Sequence, residues 1–367
     1  MRIVIAGGGT AGHISPSIAV AHRLREEGAS VEFIGSRAGP DASLVTAAGF
    51  RFHAVRAVPL RRELSLRSAA APFVALRSVA TARPIVRGAS AVLGMGGYAS
   101  IAPVLAARSV KVPTVLHEQN AVPGLANRLL ARLATAMALT FESSRDRLPR
   151  SLRTEITGLP LRREVVEVVP DRASLAAEAR QALDLGSGRT TVLVTGGSQG
   201  ALHLDRTIAS AIPLMADRAD LQLLVLTGAA NVSVLAEGAE IRADLVVRSL
   251  PFLDRMELAL ALVDVAVARA GANTIHELAA CAIPSILVPY PHATDDHQLA
   301  NAKELERAGA AEIFLDRELT PEGLAHRIEA LVDDVDRRAA MSAAAAAWAR
   351  PDADERVAAL VRSVARG

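Results

Sequence analysis

Residues 268–302 hold the densest set of side chains able to do chemistry in this sequence. The apolar run 263–268 reads as a strand, and Gly271-Ala272-Asn273-Thr274 reads as a turn opening a helix that carries Glu277. A second short strand over 285–289 leads into a polar loop with His292, Asp295, Asp296, His297 and Gln298. Two strand ends with a helix N-terminus between them make a crevice for an anionic ligand. The Glu277 carboxylate, one turn into the helix, suits a vicinal diol such as a ribose. The pattern is that of a nucleotide pocket.

Three glycine-rich turns read against it. The first, Gly7-Gly8-Gly9-Thr10-Ala11-Gly12-His13, lies between a strand over 3–6 and a helix expected to start near Ser15-Pro16-Ser17. Gly7, Gly9 and Gly12 match G-x-G-x-x-G, but a dinucleotide site wants an acid at the end of the next strand. That strand ends on Gly35-Ser36, with Glu32 inside it. The loop still offers backbone N–H groups to a phosphate. His13 beside it is either a helix-capping residue or a proton-transfer group, since imidazole titrates near neutrality.

The second turn, Gly94-Met95-Gly96-Gly97-Tyr98-Ala99-Ser100, lets a backbone approach closely and places Ser100 as an expected N-cap; a purely structural turn reads the same way. His117-Glu118-Gln119-Asn120 follows the strand over 114–116, where parallel sheets bind their ligands. The third turn, Thr195-Gly196-Gly197-Ser198-Gln199-Gly200-Ala201, has the layout that cradles a diphosphate at a helix N-terminus. Glycine loops heading two halves imply two anionic ligands facing each other across a cleft.

The elements that must position these residues alternate. Apolar runs at 3–6, 31–34, 91–93, 114–116, 136–139, 191–195, 221–226, 263–268 and 286–288 are separated by helix-period segments. That is the pattern of α/β domains with parallel, doubly wound sheets. A chain of 367 residues fits two such domains, with the boundary expected near 160. The Ala-rich tail with Trp348 reads as helix.

Composition narrows the function further. With 51% apolar and 22% charged residues the chain is globular. Aromatics make up 3%, too few for stacking platforms, so no nucleic-acid partner is expected. Cys281 is the lone cysteine, which rules out an internal disulfide and reads as a small buried hydrophobe. The chain enters a strand at once, without a signal-peptide layout, so a cytoplasmic location is expected. The charge-free stretch 88–107 is long enough for a membrane span but contains Gly94, Gly96, Gly97 and Pro103, which make it strand, loop and helix. Between His53 and Arg87, apolar positions such as Leu64, Leu66, Phe73 and Leu76 alternate with arginines. That face suits either a core with solvated arginines or an anionic lipid surface.

GGGTAGHISPSIAVA, GMGGYAS, HEQNAVPGLAN, TGGSQGA and ARAGANTIHELA, in this order and spacing, closely resemble the MurG family over nearly the whole chain. These are the UDP-N-acetylglucosamine–N-acetylmuramyl-(pentapeptide) pyrophosphoryl-undecaprenol N-acetylglucosamine transferases of peptidoglycan synthesis. The resemblance implies an α/β GT-B fold, two Rossmann-like domains with parallel sheets. Residues 1–160 would be the acceptor and membrane-facing domain and 161–345 the UDP-GlcNAc domain, with 346–367 a helix packing back on the first. It implies His13 and Glu118 as catalytic candidates, between which sequence does not choose. For the donor it implies Thr10, Ala11, Gly12, Asn120, Arg162, Ser198, Leu253, Ala272, Asn273, Thr274, Ile275, His276, Glu277 and Gln298. For the acceptor diphosphate it implies Gly9, Thr10, Gly96, Gly97 and Tyr98.

No metal and no obligate cofactor is implied, Asp295-Asp296 being adjacent rather than an Asp-x-Asp pair. The implied partners are UDP-GlcNAc, an undecaprenyl-diphosphate-linked MurNAc-pentapeptide, the cytoplasmic membrane leaflet, and cell-wall and division proteins. Ala11, Leu159 and His297 depart from the residues usual in the family, and the loop 291–298 is one residue longer. Other readings of the same residues are a UDP-GlcNAc 2-epimerase, a glycosyltransferase of small aglycones, an NAD-dependent oxidoreductase, and a non-catalytic nucleotide-sugar sensor.

Overall fold

The computed structural model describes residues 1–8, 11–37, 41–55, 71–197, 200–231, 234–235, 238–242 and 244–365; for residues 11, 71–75 and 238–242 it describes the backbone alone. The chain divides into two compact units, Met1–Arg162 with Arg350–Gly367, and Arg163–Ala349.

The first unit is a seven-stranded parallel sheet of β1 (Arg2–Ala6), β2 (Ser30–Ser36), β3 (Arg51–Val55), β4 (Ala91–Gly94), β5 (Thr114–Glu118), β6 (Ala136–Leu139) and β7 (Arg153–Ile156), in the order β3-β2-β1-β4-β5-β6-β7. Its helices are α1 (Ala11–Glu26), α2 (Asp41–Ala47), α3 (Ala71–Val86), α4 (Ile101–Ser109) and α5 (Leu125–Leu130). Alternation along β1 builds the layers. Ile3 and Ile5 join α1 residues Val20, Ala21 and Leu24 on one face, whereas Val4 and Ala6 join Ala82, Val86, Ala106 and Ala107 of α3 and α4 on the other. A parallel strand buried on both faces must be apolar throughout.

The second unit contains α6 (Arg163–Val166), α7 (Val168–Leu183), β8 (Thr190–Thr195), α8 (Leu202–Ala211), β9 (Leu221–Leu226), β10 (Gly238–Arg242), β11 (Leu245–Leu250), α9 (Met256–Leu262), β12 (Val265–Ala268), α10 (Ala272–Ala280), β13 (Ser285–Leu287), α11 (His297–Arg307), β14 (Ala311–Ile313), α12 (Pro321–Asp333) and α13 (Val335–Trp348). Its sheet runs β10-β11-β9-β8-β12-β13-β14, parallel except for the β10–β11 pair. After Ala349 the chain returns to the first unit as α14 (Ala353–Val364), whose Val357, Ala358, Leu360 and Val361 join the β1 core.

Three local expectations are corrected. The first helix begins at Ala11, not near Ser15, and holds Pro16 in its interior; proline lacks only one N–H there, and the Ser17 hydroxyl donates to the His13 carbonyl at 2.6 Å. Ser100 stands at the N-cap position of α4 as expected, but its side chain does not cap: its backbone is helical and its hydroxyl donates to Gly97 O at 2.8 Å. The run 263–268 is strand only from Val265, because Val263 closes α9. The stretch 88–107 is β4, a turn and α4, and among the described residues no helix is long and apolar enough to cross a membrane.

Candidate functional site

In the first unit three loops meet at the carboxyl ends of β1, β4 and β5. A Cβ placed on Gly97 would stand 3.0 Å from Gly8 O, so only glycine lets the second loop lie on the first. A Cβ on Gly96 would stand 3.4 Å from Asn127 Nδ2, 3.7 Å from His117 O and 3.7 Å from His13 Cδ2. The His13 ring, on the first turn of α1, therefore stands beside Gly96 and Gly97, about a methyl group's width away. Asp41, at the start of α2, is fully buried against Gly8: a Cβ there would come within 2.0 Å of its Oδ2. Gly12, His13, Gly97 and Tyr98 are all half-buried. Gly9 and Thr10 lie outside the described residues, as does the Ala11 side chain.

The four polar residues at the carboxyl end of β5 and just beyond it divide by environment. His117, Glu118 and Gln119 are buried, and Asn120 alone is half-buried. Glu118 is 3% exposed and both its oxygens are engaged. Its Oε1 accepts from the Asn120 N–H at 3.0 Å, and its Oε2 accepts from the Gly124 N–H at 3.0 Å and Asn127 Nδ2 at 2.8 Å. Burial pushes this carboxyl above its ordinary range, against the pull of those donors. The carboxylate thus fixes the 120–124 loop and the first turn of α5 to the end of β5. A base must present a lone pair to its substrate; this carboxylate is buried with both oxygens already engaged.

His117 is a second buried tie. Its Nε2–H donates to Gly158 O at 3.1 Å, and burial lowers its pKa to about 4. The unfolded chain binds a proton near pH 6.5 and the folded chain does not until about pH 4. The stability this residue contributes is therefore complete above pH 6.5 and is lost as pH falls toward 4, by at most about 3 kcal/mol. Glu118, raised rather than lowered, acts in the opposite sense over the acidic range. Urea unfolding at pH 7 and pH 5 should show wild type losing stability on acidification relative to a His117→Gln variant. Equal losses in the two proteins would contradict this.

In the second unit the third glycine loop closes the end of β8. Gly197 N–H donates to Thr195 Oγ1 at 3.1 Å, and Gly200 N–H to Gly197 O at 2.9 Å. A Cβ on Gly196 would sit 2.3 Å from Ala201 N, and one on Gly200 2.4 Å from Thr227 O. Both glycines are dictated by space. Ser198 lies outside the described residues.

The β12–α10 turn has a half-buried edge over a packed base. Gly271 caps α10 in an extended conformation. Ala272, Asn273, Thr274 and Glu277 are half-buried, whereas Ile275 is fully buried and His276 is buried against Trp348, the rings tilted at 47° with centroids 4.7 Å apart. The side chains of Ile275 and His276 therefore belong to the packed base and not to the half-buried edge. Gln298 Oε1 accepts from the Tyr290 N–H at 3.0 Å, closing the loop before α11. Leu253 and Arg162 are half-buried, on the loops before α9 and after β7.

Sequence reasoning missed Arg269. It is 6% exposed at the end of β12, donates through Nη1 to Val288 O at 3.1 Å and Pro289 O at 3.2 Å, and pairs with Asp316 at 2.5 Å. Asp316 also pairs with His203 at 3.0 Å, tying α8 to the strand ends. An arginine immediately after a buried apolar strand was the available signal.

The glycosyltransferase family 28 N-terminal domain matches residues 3–139, and the family 28 C-terminal domain matches residues 191–357. Over the whole of both chains the protein is 36% identical to the UDP-N-acetylglucosamine–N-acetylmuramyl-(pentapeptide) pyrophosphoryl-undecaprenol N-acetylglucosamine transferase of Halothermothrix orenii. It is 39% identical to the enzyme of that name from Acidothermus cellulolyticus, covering all of this chain and 98% of that one. The crystal structure of Acinetobacter baumannii MurG superposes with a TM-score of 0.76 at 28% identity, over 99% of each chain. The chain belongs to glycosyltransferase family 28 and, within it, to the MurG family of N-acetylglucosamine transferases.

Proposed function

We propose that this chain transfers N-acetylglucosamine from UDP-N-acetylglucosamine to the C4 hydroxyl of an undecaprenyl-diphosphate-linked N-acetylmuramyl-pentapeptide, with inversion, in peptidoglycan synthesis. The observation that carries the reading is the full-length match to relatives whose name states that transfer.

The donor's diphosphate is assigned to the 195–201 loop with Ser198 and to Arg162, its uracil to the Leu253 backbone, and its ribose to Glu277 within the turn 272–277. Its sugar is assigned to Asn120, Gln298 and the turn Thr10, Ala11 and Gly12. Gly9, Thr10, Gly96, Gly97 and Tyr98 are assigned to the acceptor diphosphate. His13 is the base: it takes the proton of the C4 hydroxyl as that oxygen attacks the anomeric carbon, and the anomeric C–O bond breaks with its electron pair leaving on UDP. Its place beside Gly96 and Gly97 supports this choice, and the three donors held by Glu118 make that residue a positioning group instead. The leaving charge is met by backbone N–H groups, the α8 N-terminus and Arg162. No metal has a role in this scheme, so turnover in excess EDTA is expected to equal that in its absence; a tenfold fall restored by Mg²⁺ would contradict it.

The first unit is assigned to the cytoplasmic membrane leaflet. Leu125, Leu129 and Leu133, with Leu76, are exposed apolar side chains of that unit, and Arg128 and Arg132 interleave the first three. Residues 56–70 of the apolar–basic stretch lie outside the described residues. Leu129→Glu is expected to cut co-flotation with anionic vesicles severalfold while leaving UDP-GlcNAc affinity unchanged; undiminished flotation would sink this surface. Contacts with cell-wall and division proteins belong to the same reading of this unit.

The transfer itself is tested by the linkage made. Wild-type enzyme given UDP-GlcNAc and the lipid-linked acceptor should yield a β-1,4-linked disaccharide on the lipid. Free sugar epimerised at C2, with the lipid unchanged, would move the activity to an epimerase.

A further inference from the structure

Beneath the third glycine loop lies a buried polar bridge that no step above uses. Asp205, on the first turn of α8, is fully buried. Its Oδ2 accepts from Asn231 Nδ2 at 2.8 Å, and its carboxylate draws a further hydrogen bond from the Ala201 N–H. The same Asn231 amide donates to Thr227 O at 3.3 Å, and the Asn231 backbone N–H donates to Gly228 O at 3.1 Å. Gly200, at φ +73°, is packed onto this bridge: a Cβ there would stand 2.4 Å from Thr227 O and 2.9 Å from Asn231 Nδ2. Asp205 and Asn231 therefore dictate where the Gly200 end of the loop lies. Asp205 Oδ1 has no hydrogen-bond partner among the described residues, an unusual state for a buried oxygen.

We propose that Asp205 is a positioning residue for donor binding: with Asn231 it holds the Gly200 end of the third glycine loop where the donor's diphosphate is received, and its charge sets how tightly that anion is held. The inference rests on the reading of 195–201 as the diphosphate loop. A carboxylate beneath a phosphate-binding loop opposes the ligand when ionised and not when protonated. Burial raises the Asp205 pKa to about 6, so its charge appears as pH rises through that value. The charged group facing it is Arg269, at the end of β12, which pulls the titration down; beyond Arg269 stands the Asp316–His203 pair.

The test is UDP-GlcNAc affinity by calorimetry, with KM and kcat, at pH 5.5 and 8.0. This donor is chosen because its diphosphate, esterified at both ends, does not titrate in that range. Wild-type Kd is expected to rise about three- to tenfold from the lower to the higher pH. Asp205→Asn keeps the acceptor oxygen and should bind equally at both. Asp205→Ala and Asn231→Ala should raise KM about tenfold at both, with kcat changed less than threefold. If Asp205→Ala does not fold, the other two variants carry the test. A pH slope surviving in Asp205→Asn, or wild-type KM in Asn231→Ala, overturns the proposal while leaving the loop assignment intact. Folded wild type that binds no UDP-GlcNAc at either pH overturns the loop assignment and the proposal together.

Discussion

His13→Ala is expected to lower kcat by about 10²- to 10⁴-fold, the usual contribution of a positioned base, while KM for UDP-GlcNAc stays within about threefold. The half-buried ring stands beside Gly96 and Gly97, so its removal takes away proton transfer while the backbone of α1 stays in place. The melting temperature should scarcely move. Glu118→Ala is the counterpart with the opposite signature. It strands the Asn120 and Gly124 N–H groups and the Asn127 amide in the interior, at roughly 1–3 kcal/mol each. Its melting temperature should fall by many degrees, and both kcat and KM should worsen as Asn120 loses its place. A His13→Ala enzyme with kcat within about fivefold of wild type would remove that imidazole from the mechanism. A Glu118→Ala enzyme with unaltered stability and a selectively lost kcat would return the base to Glu118.

Gly196→Ala is expected to raise the donor KM by about 10- to 100-fold. The added methyl would lie 2.3 Å from Ala201 N and 2.5 Å from Gly200 C, both backbone atoms of the loop and of the helix start. Neither yields as a flexible side chain would, so the loop must open by about an ångström, a displacement that costs roughly 10²-fold in a positioned site. The damage is local to the end of β8: unfolding of the first unit should be unaffected. Donor affinity in isothermal titration is the measure, and a KM within threefold of wild type would show that the loop does not hold the diphosphate.

The glycine loops and the helices after them were legible because their signals are local: a run of β-branched residues, glycines where backbone must approach backbone, then helix-period sequence. The central strands were legible for the same reason, being apolar on both faces. The edge strands were not. β3 and β7, with sequences RFHAV and RTEI, carry charge, and β14 is three residues long. Burial of the polar residues at the end of β5 was also hidden, since nothing in HEQN distinguishes the three side chains turned inward from Asn120. That ambiguity left Glu118 beside His13 as a base. Long-range pairs were out of reach altogether: Asp205 meets Asn231, and Arg269 meets Asp316, only because parallel strands bring their carboxyl ends together. Pattern reasoning finds the loops; it does not find what braces them.

The most direct test of the account is the initial rate of UDP release from UDP-GlcNAc, measured with and without the lipid-linked muramyl-pentapeptide diphosphate. The account predicts release that depends on the acceptor, one UDP for each disaccharide–lipid formed, abolished in His13→Ala. Release at the same rate without the acceptor, or binding of UDP-GlcNAc with no release under either condition, would contradict it.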